Sequence, residues 1–186
     1  ACFLHFYSKK NLPFNLVFAA SAEEEISGKN GMEYLFPKLP TIDFAIVGEP
    51  TLMKIAIAER GLMVLDVTIH GKSGHAARKE GVNAIYKALP DLEWFKSYRF
   101  SKTSTELGPV SMQVTGFESG TQHNVVPDVC KLMVDVRIND QYHNTEVLEI
   151  IKKNVNGDVK ERSTRLNSSG VNRNHPIRKV AEDLKI

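Results

Sequence analysis

An apolar run of strand length, Phe14 to Ala20, follows Pro13 and leads through Ser21-Ala22 into three successive glutamates, Glu23, Glu24 and Glu25. A run without alternation suits a strand buried on both faces, as in an α/β sheet. Ile42 to Val47 is a second such run, and it ends in Gly48-Glu49-Pro50-Thr51. Between them Met32 to Phe36 has helical character. Strand, turn, helix, strand is the α/β alternation, and in such sheets ligands gather at the carboxyl ends of the strands. Both acidic clusters fall there. Ahead of the first run, Ala1 to Tyr7 is apolar, too short for a membrane span and not preceded by a basic region. It reads as the end of a buried helix, so the chain is expected to begin inside a domain.

After Arg60-Gly61 the texture changes. Leu62 to Ile69 alternates in part, as a half-exposed strand does. Val82 to Phe95 has helical spacing at Val82, Ile85, Ala88, Leu89 and Leu92, with Pro90 expected to kink or break it. Pro109 to Phe117 and Val129 to Ile138 read as strands. Thr145 to Val155 reads as an amphipathic helix, and Asp158 to Ser163 as a last short strand. The order is βαββαβ, a ferredoxin-like α+β arrangement. Arg165 to His175 is polar and linker-like, and Pro176 to Ile186 restarts a helix with Pro in its first turn. The expected organisation is an α/β domain over residues 1–59, an inserted α+β domain over 60–164, and a return to the first domain over 165–186.

Composition bounds the partners. Hydrophobic residues make up 42% and charged residues 25% of the 186, the values of a globular chain. The net charge of +2 with both signs interspersed points to neither nucleic acid nor an anionic membrane as a partner. Cys2 and Cys130 cannot build a disulfide framework and have no metal-ligand spacing. Buried free thiols in a reducing compartment, the cytoplasm, are expected.

Chemistry concentrates in few places. Three glutamates in a row at a strand end repel one another, and a bound cation removes that cost. One side chain can ligate a metal while its neighbour holds a water. Glu49, braced by Pro50, is a natural additional ligand. A solvated acidic turn at a helix N-terminus is the alternative. Gly71-Lys72-Ser73-Gly74-His75-Ala76-Ala77 is a glycine-rich loop without P-loop spacing. His75 either donates a hydrogen bond to a developing oxyanion or is a solvent-exposed loop histidine. Asn124, Arg137 and Arg60 either bind a substrate carboxylate or tie down turns.

Taken in order, Ala22-Glu23-Glu24-Glu25 with Gly31, Val47-Gly48-Glu49-Pro50-Thr51, Arg60-Gly61, Gly71-Lys72-Ser73-Gly74-His75-Ala76, Gly81-Val82-Asn83-Ala84, Asn124-Val125-Val126-Pro127 and Val134-Asp135-Val136-Arg137 resemble one family. It is the co-catalytic zinc amidohydrolase and peptidase family of acetylornithine deacetylase, succinyl-diaminopimelate desuccinylase, aminoacylase and the glutamate carboxypeptidases. The resemblance implies a partial zinc-peptidase catalytic domain with an inserted lid that dimerises, and two zinc ions per site, with cobalt or manganese as alternatives. It makes Glu24 the general base, Glu25 a ligand of one zinc and Glu49 a ligand of the other. His75 would reach across a homodimer to the scissile carbonyl oxygen, and Asn124 and Arg137 would meet an N-acyl amino acid substrate, with Arg60 a further candidate by residue type. Ala19 to Glu23 and Val47 to Thr51 are most similar to acetylornithine deacetylase-like members of arginine biosynthesis; a dipeptidase or carboxypeptidase of the same family is the alternative.

This chain departs from the family pattern at Glu23, where aspartate is commoner. The resemblance also requires a metal-binding histidine and a bridging aspartate before the first apolar helix, and a final histidine beyond Ile186. None of His5, His70, His123, His143 or His175 has a matching context. The polypeptide alone is therefore expected to be inactive, a dimerisation module rather than a complete enzyme.

Overall fold

The computed structural model describes residues 2–25, 28–52 and 54–184. They fall into two compact units, 1–49 and 50–186.

In the first unit, helix α1 spans Cys2–Tyr7 and α2 spans Met32–Leu35, followed by a 3-10 turn over Phe36–Lys38. The helical character expected at Met32 to Phe36 is present. Ala1 and the side chain of Cys2 lie outside the described residues. The two buried strands expected at Phe14 to Ala20 and Ile42 to Val47 do not form: neither run lies in a strand, and Phe18 and Ile46 are exposed. α1 is likewise not buried, with Leu4 and Tyr7 open to solvent. The reason is physical. A strand of an internal sheet takes its backbone hydrogen bonds and its apolar cover from neighbours. Here Phe14 and Phe18 meet rings of α1, Phe6 at 5.8 Å and Phe3 at 5.9 Å between centroids, and neither run has a strand partner among the described residues.

The second unit is built on alternation. Strand β1 spans Ala58–Glu59, β2 Gly61–His70 and β3 Gly74–His75. Helix α3 follows over Ala84–Ser97, then β4 over Ser111–Ser119, β5 over Val125–Val126 and β6 over Val129–Ile138. Helix α4 spans Asn144–Asn154, β7 Asp158–Glu161, β8 Ser169–Gly170 and α5 Pro176–Leu184. Ile186, the expected end of α5, lies outside the described residues. Four strands make one antiparallel sheet in the order β4-β6-β2-β7, so β2, α3, β4, β6, α4 and β7 realise the βαββαβ order.

In β2 the odd positions Met63, Leu65, Val67 and Ile69 are buried and the even ones half-exposed. Their partners Leu132, Val134 and Val136 on β6 are buried on the same face. That face carries α3 and α4, which contribute Ala84, Ala88 and Phe95, and Val147, Leu148 and Ile151. The opposite face is mixed, with Asp66, Asp135 and Arg137 beside half-exposed Leu62, Val64 and Met133.

Two expectations for α3 are corrected. Pro90 does not break it: the helix runs through to Ser97. Proline frees the carbonyl four residues earlier, at Tyr86, and both residues sit on the solvent side, where water can satisfy it. The buried face is Ala84, Ala88, Asp91 and Phe95, whereas Val82 and Leu89 are exposed.

Candidate functional site

The glycine-rich loop owes its shape to backbone contacts. A Cβ on Gly71 would collide with the Val82 carbonyl oxygen, and one on Gly74 would lie 2.8 Å from the Gly81 nitrogen. Lys72 and Val82 exchange backbone hydrogen bonds of 2.8 Å across the loop's neck. The glycines thus let two backbone segments touch, which is the use of glycine here rather than phosphate binding.

That closure presents His75. β3 pairs with β5 so that His75 faces Val125, and the Ala76 amide donates to the Asn124 carbonyl at 2.9 Å. The structure therefore brings His75 and Asn124 together, both exposed. The Ala77 amide donates to Nδ1 of His75 at 3.1 Å. β3 and β5 are two-residue strands with no periodicity to read. Only the flanking glycines and Pro127 signalled them.

Arg60 and Arg137 gather elsewhere. Arg137 opposes Leu62 at the far end of β6, eight positions beyond Val129, or about 26 Å at roughly 3.3 Å per residue. Its guanidinium holds Asp135 by two bonds, Nε to Oδ1 at 2.8 Å and Nη2 to Oδ2 at 3.1 Å. Arg60 donates from Nε to the Leu107 carbonyl at 2.9 Å and from Nη1 to Ser111 Oγ at 3.3 Å, and Ser111 is the β4 neighbour of Arg137. His75 and Asn124 sit at the separate β3-β5 ladder, which joins the Val129 end of β6 through Asp128, whereas Arg60 and Arg137 sit at the other end of that strand.

In the first unit the acidic turn has a defined frame. Glu23 adopts φ 58°, its carboxylate accepts from the Asn30 amide at 3.0 Å and from Asn30 Nδ2 at 3.1 Å, and its carbonyl accepts from Gly28. A Cβ on Gly31 would collide with the Ala22 carbonyl oxygen. Glu23 is thus spent on the turn, while Glu24, Glu25 and Glu49 are exposed. Among the described residues no group of three or more His, Cys, Asp or Glu side chains could hold a metal ion. Glu25 and Glu49 do not by themselves complete a metal centre.

A polar cleft of 640 Å³ lies in the second unit between Thr105–Leu107, Asp140–His143 and Asn167–Arg173. Its walls are braced by Glu106, which takes Arg173 at 2.8 Å and Arg178 at 3.4 Å. None of the predicted site residues lines it. Asn144, fully buried, was not anticipated. Its Nδ2 donates to the carbonyls of Thr164 and Leu166 at 3.2 and 2.9 Å, fastening the segment that leaves the sheet.

Residues 57–163 match the model of a peptidase dimerisation domain, the M20 type, and the chain belongs to that family. Curated relatives include succinyl-diaminopimelate desuccinylases. That of Buchnera aphidicola is 30% identical over 75% of this chain and 40% of its own length. That of Orientia tsutsugamushi strain Boryong is 27% identical over 78% of this chain and 41% of its own. The chain thus spans about two fifths of the length of these relatives. Among solved structures, an M20 family metallo-carboxypeptidase from Sulfolobus solfataricus superposes with a TM-score of 0.55 at 15% identity, over 70% of this chain and 49% of the other. That likeness concerns the fold: mixed α and β structure with the dimerisation domain.

Proposed function

We propose that this chain is part of a two-metal hydrolase that cleaves the amide bond of an N-acyl amino acid. In this reading residues 1–59 belong to the catalytic domain, 60–164 form the lid and dimerisation domain, and 165–186 return to the catalytic domain. The names of the desuccinylase relatives support a succinylated amino acid as substrate. N-acetylornithine is the second reading, carried by the resemblance of Ala19 to Glu23 and Val47 to Thr51. The cytoplasm as compartment is supported by the buried free thiol of Cys130. Among the described residues no helix is long and apolar enough to cross a membrane.

The observation that carries the reading is the separation of the lid residues. One site cannot use residues gathered at both ends of β6, where Val129 and Arg137 are about 26 Å apart along the strand. A pair of subunits resolves this: Arg60 and Arg137 meet the substrate in one subunit, and His75 and Asn124 come from the other. The surface for pairing is supported by exposed apolar side chains. Val82, Tyr86 and Leu89 on and before α3, and Phe117 on the edge strand β4, are open to solvent. An edge strand beside an apolar helix face is a ready pairing surface, and two-fold pairing is the commonest closed symmetry.

Zinc, or cobalt or manganese in its place, is the proposed metal, with Glu25 and Glu49 as this chain's share of the ligands. This chain's own residues supply two further actions. Glu24 takes a proton from the attacking water and delivers it to the leaving amine. His75 donates to the carbonyl oxygen as charge develops on it.

The test is made on the full-length enzyme. Glu24→Gln is expected to lower turnover by about 100-fold or more while metal content holds, because general-base catalysis contributes on that order. If Glu24→Gln strips metal and Glu25→Gln does not, the assignment is wrong by one position. Assay of N-succinyl-diaminopimelate against N-acetylornithine decides the acyl group.

A further inference from the structure

We infer that the backbone amide of Ala77 holds His75 as the neutral tautomer that carries its proton on Nε2, making the ring a hydrogen-bond donor to an acceptor oxygen rather than a metal ligand. The inference rests on the proposed role of His75 and adds Ala77 as the residue that positions it.

A neutral imidazole has one N–H and one bare nitrogen, and which is which is set by the partner of either. A backbone amide can only donate. Nδ1 of His75, 3.1 Å from the Ala77 nitrogen, is therefore the acceptor, and the proton resides on Nε2. The same bond removes the ring from metal chemistry. Ligation needs a free lone pair, but that of Nδ1 is engaged and Nε2 carries hydrogen.

The amide does not reach this position by chance of a loose loop. The His75 carbonyl accepts from the Arg78 amide at 2.8 Å, which closes a turn around Ala76 and Ala77. The Ala76 amide is bound to Asn124, and Gly74 and His75 are paired with Val126 and Val125. With Gly74 packed against the Gly81 backbone, the segment on both sides of the ring is held. Nδ1 is thus turned to the chain and Nε2 left to a ligand. The Ala77 side chain takes no part, so any residue there except proline preserves the bond.

The experiment uses the ¹⁵N-labelled 186-residue chain at a pH where the ring is neutral. Long-range ¹H–¹⁵N spectra read the tautomer, and a scalar coupling between the Ala77 nitrogen and Nδ1 reads the hydrogen bond itself. The expected result is a protonated Nε2, a bare Nδ1 and a measurable coupling, all retained in Ala77→Gly. In Ala77→Pro, which has no amide hydrogen, the ring signals shift towards an average of both tautomers. A protonated Nδ1, a missing coupling in a folded spectrum, or an unchanged ring in folded Ala77→Pro overturns the inference. Should Ala77→Pro not fold, the wild-type coupling decides alone. These spectra do not depend on turnover, so failure of the hydrolase reading and failure of this one are told apart.

Discussion

Arg162 grips Asp66 from the strand edge, Nε to Oδ2 at 2.9 Å and Nη2 to Oδ1 at 2.8 Å. The hydrogen bond from that guanidinium, more than its charge at a distance, holds the Asp66 carboxyl below the usual aspartate range. The sign of the consequence follows. A carboxyl whose folded pKa is depressed stabilises the fold at pH above its unfolded value of about 3.9, and that contribution is lost as pH falls through the folded value. Arg162→Ala is therefore expected to raise the Asp66 pKa towards the ordinary value. Titration of the Asp66 side-chain carbon by NMR measures it, and an unmoved pKa rejects the assignment. Residue types alone made Arg60 a candidate for substrate; that its Nε and Nη1 also brace Leu107 and Ser111, leaving the rest of the guanidinium for a ligand, depends on neighbours distant in sequence.

At the scale of elements, α3 is tied to the end of α4 by one buried carboxylate. Asp91, 1% exposed, accepts from the Asn156 amide, Asn156 Nδ2 and the Gly157 amide, each at 2.9 Å. Asp91→Ala removes three hydrogen bonds to a carboxylate, each worth about 1.5–3 kcal/mol, of which water regains part at exposed Asn156 and half-buried Gly157. A loss of about 3 kcal/mol is expected in urea unfolding followed by the fluorescence of Trp94, which lies on the same helix. A loss under about 0.5 kcal/mol would show that water replaces the carboxylate. Asp91 also explains why the apolar face of α3 was misread. Its periodicity favoured Val82 and Leu89, whereas the buried stripe admits a charged residue that the turn at Asn156-Gly157 satisfies. The strands of the sheet were legible because β2 and β6 alternate and find their partners β4 and β7 and their cover, α3 and α4, within the same unit. Phe14 to Ala20 has strand composition, but composition does not supply the neighbouring strands that a doubly buried one requires.

For the molecule as a whole, the proposed pairing through α3 and β4 has a direct test. Tyr86 is 71% and Leu89 55% exposed in the single chain, a poor state for apolar side chains a turn apart unless something covers them. Introducing Tyr86→Glu and Leu89→Glu together is expected to raise the dimer dissociation constant by about 30-fold or more, the equivalent of about 2 kcal/mol at a central contact. Sedimentation equilibrium reads it. A wild-type chain that is monomeric at every concentration rejects the pairing, and an unaffected dimer moves it to another surface. The short ladder of β1 and β8 has a different consequence. Ala58 lies opposite Gly170 and Glu59 opposite Ser169, so the 113 residues from 58 to 170 begin and end side by side, about 5 Å apart. A segment with adjoining ends can be spliced into a surface loop of another protein without prising its host open. The proposed inserted domain therefore has the ends of a portable cassette, and grafts cut at this ladder should carry their own fold with them.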